Sequence, residues 1–225
     1  MANTPHTSAL SMIERALDTR FFHPEGGQPA VIPFHFVPGS DPLLVVLGPN
    51  AGGKSFFRRV LMTICQEQQT EAIHISMEGR RRTGERPWLA MVYGDEMYHS
   101  TGVNSINTVL TGISTCRSRN QPHVVIWDEP DIGMSEGAAA SVGRAIAEFA
   151  AAPPASLLAS VVITHRKALV AELATCRPHY LHLGTAEAPA SLEAWLAAPP
   201  DVRPLESIRN EAHARFLRLR TLLKE

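Results

Sequence analysis

The chain predicts an α/β protein with a mostly parallel central sheet flanked by helices, and three observations carry that prediction. Short apolar runs alternate with amphipathic stretches, the pattern of β-α-β units whose sheet is covered on both faces. One apolar run, Leu43 to Leu47, leads through a glycine-rich turn into a helix-like segment. Another, His123 to Trp127, ends in the two acids Asp128 and Glu129. At 225 residues the chain is long enough to bury one such core unaided.

The elements follow in order. Residues 8–20 space their apolar positions as a short amphipathic helix, ended by Pro24 and Gly26-Gly27. Val31 to Val37 reads as a strand whose internal Pro33 argues for a sheet edge. The turn Gly39-Ser40-Asp41-Pro42 enters the buried strand Leu43 to Leu47. A helix over 55–69 places Phe57, Val60, Leu61 and Ile64 on one face, and Ala72 to Ile75 is the next strand.

Residues 77–104 break the alternation with Gly79, Gly84, Pro87, Gly94 and Gly102, around a small candidate strand from Trp88 to Tyr93. Ser105 to Cys116 reads as a helix, His123 to Trp127 as a core strand, and 135–151 as an alanine-rich helix stopped by Pro153-Pro154. Leu157 to Ile163 is another core strand, 166–175 a helix, and Tyr180 to Leu183 a last short strand. A tail helix, Leu205 to Leu223, carries Leu205, Ile208, Ala212, Phe216, Leu219 and Leu223 on one stripe, with Arg209, Arg215, Arg218 and Lys224 elsewhere. It reads as a docking or core-capping element, and the chain divides into a domain over 1–190 and a helical extension over 191–225.

Bulk composition narrows the class. With 44% hydrophobic and 19% charged residues the chain is ordinary for a globular protein. No apolar run reaches the roughly 18 residues of a membrane span, and the start lacks the features of a secretory leader, so no membrane insertion is expected. Cys65, Cys116 and Cys176 are scattered, without zinc or disulfide spacing, which favours a reducing, cytoplasmic setting. A net charge of −1 excludes a global pull toward nucleic acid. Arg80, Arg81 and Arg82, with Arg86 and Trp88 nearby, are the local candidate for nucleic-acid contact, against the plainer reading of a solvated loop.

The chemistry is concentrated at three strand ends. Gly48-Pro49-Asn50-Ala51-Gly52-Gly53-Lys54-Ser55 fits G-x-x-x-x-G-K-[ST], a loop whose backbone N–H groups cradle phosphates at a helix start. In that reading Lys54 reaches the β- and γ-phosphates, Ser55 holds Mg²⁺, and Phe56 continues the binding segment. Asp128 is the second magnesium candidate, and Glu129 the group that polarises an attacking water. Val161-Val162-Ile163-Thr164-His165 adds a histidine at a third strand end, placed to donate a hydrogen bond to the γ-phosphate or to that water. Ligands of parallel sheets sit outside the carboxyl ends of the strands, which brings all three segments to one side. The expected activity is Mg²⁺-dependent ATP hydrolysis by a P-loop NTPase.

Together, Gly-Pro-Asn-x-Gly-Gly-Lys-Ser, the strand ending Asp-Glu and the later Thr-His resemble the ATPase domain of the ABC superfamily over residues 30–183. The soluble branch, with MutS, SMC and RecF-like proteins, is the nearer likeness. The resemblance implies head-to-tail pairing with itself or a related subunit, each copy lending a signature segment to the other's ATP. Here Ser100-Thr101-Gly102, ahead of a helix, looks like the mismatch-repair form of that segment, the alternative being a helix cap made by Ser105. It implies, too, a partner protein switched by ATP-driven dimerisation, in DNA repair, recombination or defence.

The departures are several. Only 45 residues separate Ser55 from Ser100, so the helical subdomain is reduced, and no coupling glutamine stands out, with Glu78 and Glu96 as substitutes. Ser135 or Glu136 takes the place of the dimer-contact aspartate, unless Asp131 and Ser135 merely begin and cap the next helix. Phe21 and Phe22 are candidates to stack on adenine, or core residues. The competing reading, an ATP-binding subunit of an ABC transporter, lacks the transporter signature Leu-Ser-Gly-Gly-Gln.

Overall fold

The computed structural model describes residues 8–24, 27–76 and 100–224. Arg80 to Arg82, Arg86, Trp88, Glu78, Glu96 and the candidate strand at Trp88 to Tyr93 lie outside them. In chain order the elements are α1 (Ala9–Leu17), β1 (Phe34–Val37), β2 (Leu43–Leu47), α2 (Lys54–Glu67), β3 (Glu71–Ser76) and α3 (Thr101–Ser118). β4 (His123–Asp128), α4 (Glu136–Ala151), β5 (Leu157–Ile163), α5 (Lys167–Ala174), β6 (His179–Leu183), α6 (Leu192–Ala197) and α7 (Leu205–Leu222) complete the chain.

One six-stranded sheet runs β1-β6-β2-β5-β4-β3, parallel throughout except for β1, which pairs antiparallel with β6 at the edge. Pro33 therefore sits just before an edge strand, where a missing backbone donor is tolerated. All residues of β2 and β4 are buried, because helices cover both faces. The alternation of side chains divides the core in two. Leu43, Val45, Leu47, Val125, Trp127 and Val162 join residues of α3, α4 and α5 on one face. Leu44, Val46, Val124, Ile126, Val161 and Ile163 join α1 and α2 on the other. Phe22 is a core residue of this second face, edge-on to Phe34 and Phe57 and only 2% exposed, which removes it as a base-stacking candidate.

β1 starts at Phe34 instead of Val31, so Pro33 precedes the strand instead of lying inside it, and three further elements differ from the sequence prediction. α3 begins at Thr101, not Ser105, because Ser100 is its cap: the Ser100 hydroxyl accepts from the Val103 N–H at 3.4 Å. Ser105 lies inside the helix, donating its hydroxyl to the Thr101 and Ile132 carbonyls. α6 was not foreseen; Ser191 caps it, and Lys167 reaches back to the Leu196 carbonyl and over the Trp195 ring. The apolar stripe of α7 meets the core only in part: none of its residues is buried and Leu205 and Phe216 are 83% and 58% exposed, but Leu219, with Leu222, packs against the α1–α2 face. Among the described residues no helix is long and apolar enough to cross a membrane. Cys65 and Cys116 are buried free thiols whose pKa values burial pushes up to about 11 and about 12.

Candidate functional site

The register of the sheet aligns the three segments. Val46 of β2 pairs with Ile163 of β5, and Ile163 pairs with Asp128 of β4. The loops leaving these strands start side by side, and the Glu129 N–H closes the gap by donating to the Ile163 carbonyl at 2.8 Å. Glu129 pays for its position with a left-handed φ of 50°, an uncommon conformation for a residue with a side chain.

The glycine-rich loop is held tightly against β6. Gly48 has φ 137° and Gly53 has φ 104°, conformations that favour glycine. A Cβ on Gly48 would also lie 2.2 Å from the Leu183 carbonyl oxygen. α2 starts at Lys54 from Gly53, with no capping side chain and no acid in its first turn, so its N–H groups remain suited to an anion. Lys54 is 7% exposed, and its ammonium donates to the Gly48 and Pro49 carbonyls, each at 2.9 Å. Burial lowers its pKa to about 8, against the opposing pull of Glu129 and Asp128.

Lys54, Glu129 and His165 line one cavity of about 270 Å³, together with Asn50, Ala51, Gly52, Gly53, Ser55 and Phe56. His165 Nε2 lies 3.5 Å from Glu129 Oε1. That contact lowers the carboxyl pKa from its ordinary value, outweighing partial burial, so Glu129 is ionised at neutral pH. A second cavity, of about 500 Å³, opens on the far side of the pair between residues 129–136 and 165–167. The Glu129 and His165 side chains, 44% and 37% exposed, form the ridge between them.

Asp128 lies beside this cavity but does not line it. Its Oδ2 is 3.3 Å from both Arg58 Nε and His74 Nε2. Arg58 is one helical turn beyond Lys54 and His74 sits on β3 beside Ile126. The i, i+4 spacing on α2 is the signal by which Arg58 is found in the sequence; His74 carries none. Asp131 is neither a helix start nor a cap: it is 5% exposed, accepts from the Thr164 hydroxyl at 3.1 Å and from Arg166 Nε at 3.0 Å. Ser135 does cap α4, and Glu136 accepts from Arg166.

Ser100, Thr101 and Gly102 line neither cavity. Gly102 is buried where α3 meets the loop after the acids, and a Cβ there would lie 2.8 Å from the Gly133 carbonyl oxygen. Ser100 and Thr101 are exposed. Phe21 meets Phe56 edge-on at 4.8 Å, under the Arg20 guanidinium. The residue set that sequence reasoning did not bring here comes from α7: Ala212, Arg215, Phe216 and Leu219 line the cavity of Lys54.

Fold and site together define the class: an α/β protein with a mostly parallel six-stranded sheet and a polar site at the carboxyl ends of its central strands. No protein-family model and no curated protein matches the chain.

Proposed function

We propose that the protein binds and hydrolyses ATP as a P-loop ATPase of the ABC type. The observation that carries this reading is the meeting of Lys54, Glu129 and His165 in one cavity walled by the loop from Asn50 to Ser55. A buried cation, unopposed N–H groups and a helix start are suited to a polyphosphate. Lys54 trades its loop carbonyls for the β- and γ-phosphate oxygens. Ionised Glu129 takes a proton from a water as its oxygen bonds to the γ-phosphorus and the bond to the β-phosphate oxygen breaks, leaving ADP and phosphate. His165, in contact with Glu129, orients that carboxylate and is within reach of the water it holds.

The Ser55 hydroxyl and the Asp128 carboxylate are hard oxygen donors and would hold Mg²⁺, which supplies charge neutralisation on the phosphates. Arg58 and His74 engage one Asp128 oxygen and so fix the rotation of the carboxylate.

The ridge of Glu129 and His165 is open on its outer side. Excluding bulk water there requires cover from outside this fold unit, and a second copy or a related subunit presenting its exposed Ser100 and Thr101 is the cover we favour. Phosphate release with Mg·ATP tests the reading. Wild type turns over, while Glu129→Gln binds ATP but loses about 100-fold or more of the rate and accumulates as an ATP-bound dimer. Turnover by Glu129→Gln at the wild-type rate would remove Glu129 as the base.

A further inference from the structure

α7 has no buried residue, yet it is anchored across the mouth of the site. Arg215 donates to the carbonyls of Ala51, in the glycine-rich loop, and of Gly184, the latter at 2.8 Å. Arg218 donates to the Pro29 carbonyl at 2.6 Å, and Arg20 to the Leu222 carbonyl. Leu219 and Leu222 touch the apolar core of the α1–α2 face. These contacts hold one edge of the helix against the loop and leave four of its residues in the cavity wall.

The cavity lining is consequently of two chemistries. Gly52, Gly53, Lys54 and Ser55 are suited to an anion, while Phe56, Ala212, Phe216 and Leu219 are apolar. Of the two phenylalanine rings lining it, Phe56 already meets Phe21 edge-on. Phe216 is 58% exposed while lining the cavity, so a large part of its ring is free to meet a ligand. Leu205 and Leu217 of α7, and Leu223 just after it, are also exposed, but outside the cavity. A molecule with a polyanionic part and a flat aromatic part matches both kinds of lining at once.

We propose that α7 is the nucleobase wall of the site, with Phe216 as the platform on which the base stacks and Arg215 as the positioning residue tying that wall to the glycine-rich loop. This rests on the nucleotide reading above and adds to it the base subsite, which Phe22 cannot supply from the core. Stacking is insensitive to the phosphates, so its loss separates two ligands that share a polyphosphate.

The experiment titrates Mg·ATP and inorganic triphosphate into wild type, Phe216→Ala, Phe216→Tyr and Arg215→Gln. Phe216→Ala weakens ATP roughly tenfold and leaves triphosphate unchanged, and Phe216→Tyr, which keeps the ring, binds ATP as wild type does. Arg215→Gln, which frees the wall, also weakens ATP more than triphosphate. Unchanged ATP affinity in Phe216→Ala, or equal losses for both ligands, overturns the nucleobase wall and leaves the phosphate site standing. Failure of wild type to bind either ligand overturns the nucleotide reading itself.

Discussion

In the ATP site proposed above, Lys54 would couple binding to pH in a way that follows from its surroundings. In the ligand-free fold its burial holds the pKa at about 8, against an ordinary 10.5. A bound triphosphate places several negative charges beside the ammonium and returns the pKa to at least the ordinary value. Binding above pH 8 must then take up a proton, and affinity falls as pH rises. With those two values the dissociation constant for ATP increases about twentyfold between pH 7.5 and pH 9.5, approaching a limit near 300-fold at higher pH. Calorimetry in two buffers of different ionisation enthalpy reads the linked uptake directly, about 0.9 proton per ATP at pH 9.5. Lys54→Met removes the titrating group, so its weakened residual binding should be flat over the same range.

The same shift acts on folding with the opposite sign. The folded state disfavours the charged lysine, so the penalty is fully present below pH 8 and is relieved between pH 8 and 10.5, where the unfolded chain holds the proton. This group alone then stabilises the ligand-free protein by up to about 3 kcal/mol across that window, relative to neutral pH. A wild-type affinity that does not change from pH 7.5 to 9.5 would refute the buried Lys54 with its lowered pKa, on which both results depend.

Two further outcomes test other parts of the structure. Ser100→Arg places a bulky cation at the exposed cap of α3, and should abolish ATP-dependent dimerisation while ATP binding persists; light scattering with ATP that still finds a dimer excludes this face from the contact. Gly102→Ala forces a Cβ to within 2.8 Å of the Gly133 carbonyl oxygen, and should lower stability by about 1–3 kcal/mol in a denaturant titration. A midpoint equal to that of wild type would mean that the loop after the acids yields without cost.

Much of the fold was legible locally. β5 has the predicted bounds, Leu157–Ile163, because six apolar residues and Ser160 between Pro153-Pro154 and a polar turn leave a buried strand few other forms. Glu129 and His165 are placed at strand ends by following an apolar run, and Lys54 at the helix start by the G-x-x-x-x-G-K-[ST] match; parallel strands deliver the residues that follow them to one side of the sheet. The start of α3 was misjudged for a local reason as well: Ser100 and Ser105 are both competent caps, and hydrogen-bond partners decide between them.

What depended on tertiary structure was long-range. The order β2-β5-β4 decides which loops are adjacent. Burial decided that Phe22 belongs to the core, and that Asp131 holds Thr164 and Arg166 instead of opening a helix. α7 is the clearest case. Its apolar spacing predicts a helix correctly, but amphipathic period says only that one face differs from another. Whether that face meets a core, a partner or a cavity depends on where the chain returns, and Arg215 returns to a carbonyl 164 residues earlier. Local spacing sets an element's form; its neighbours, brought from far along the chain, set what the exposed groups are for.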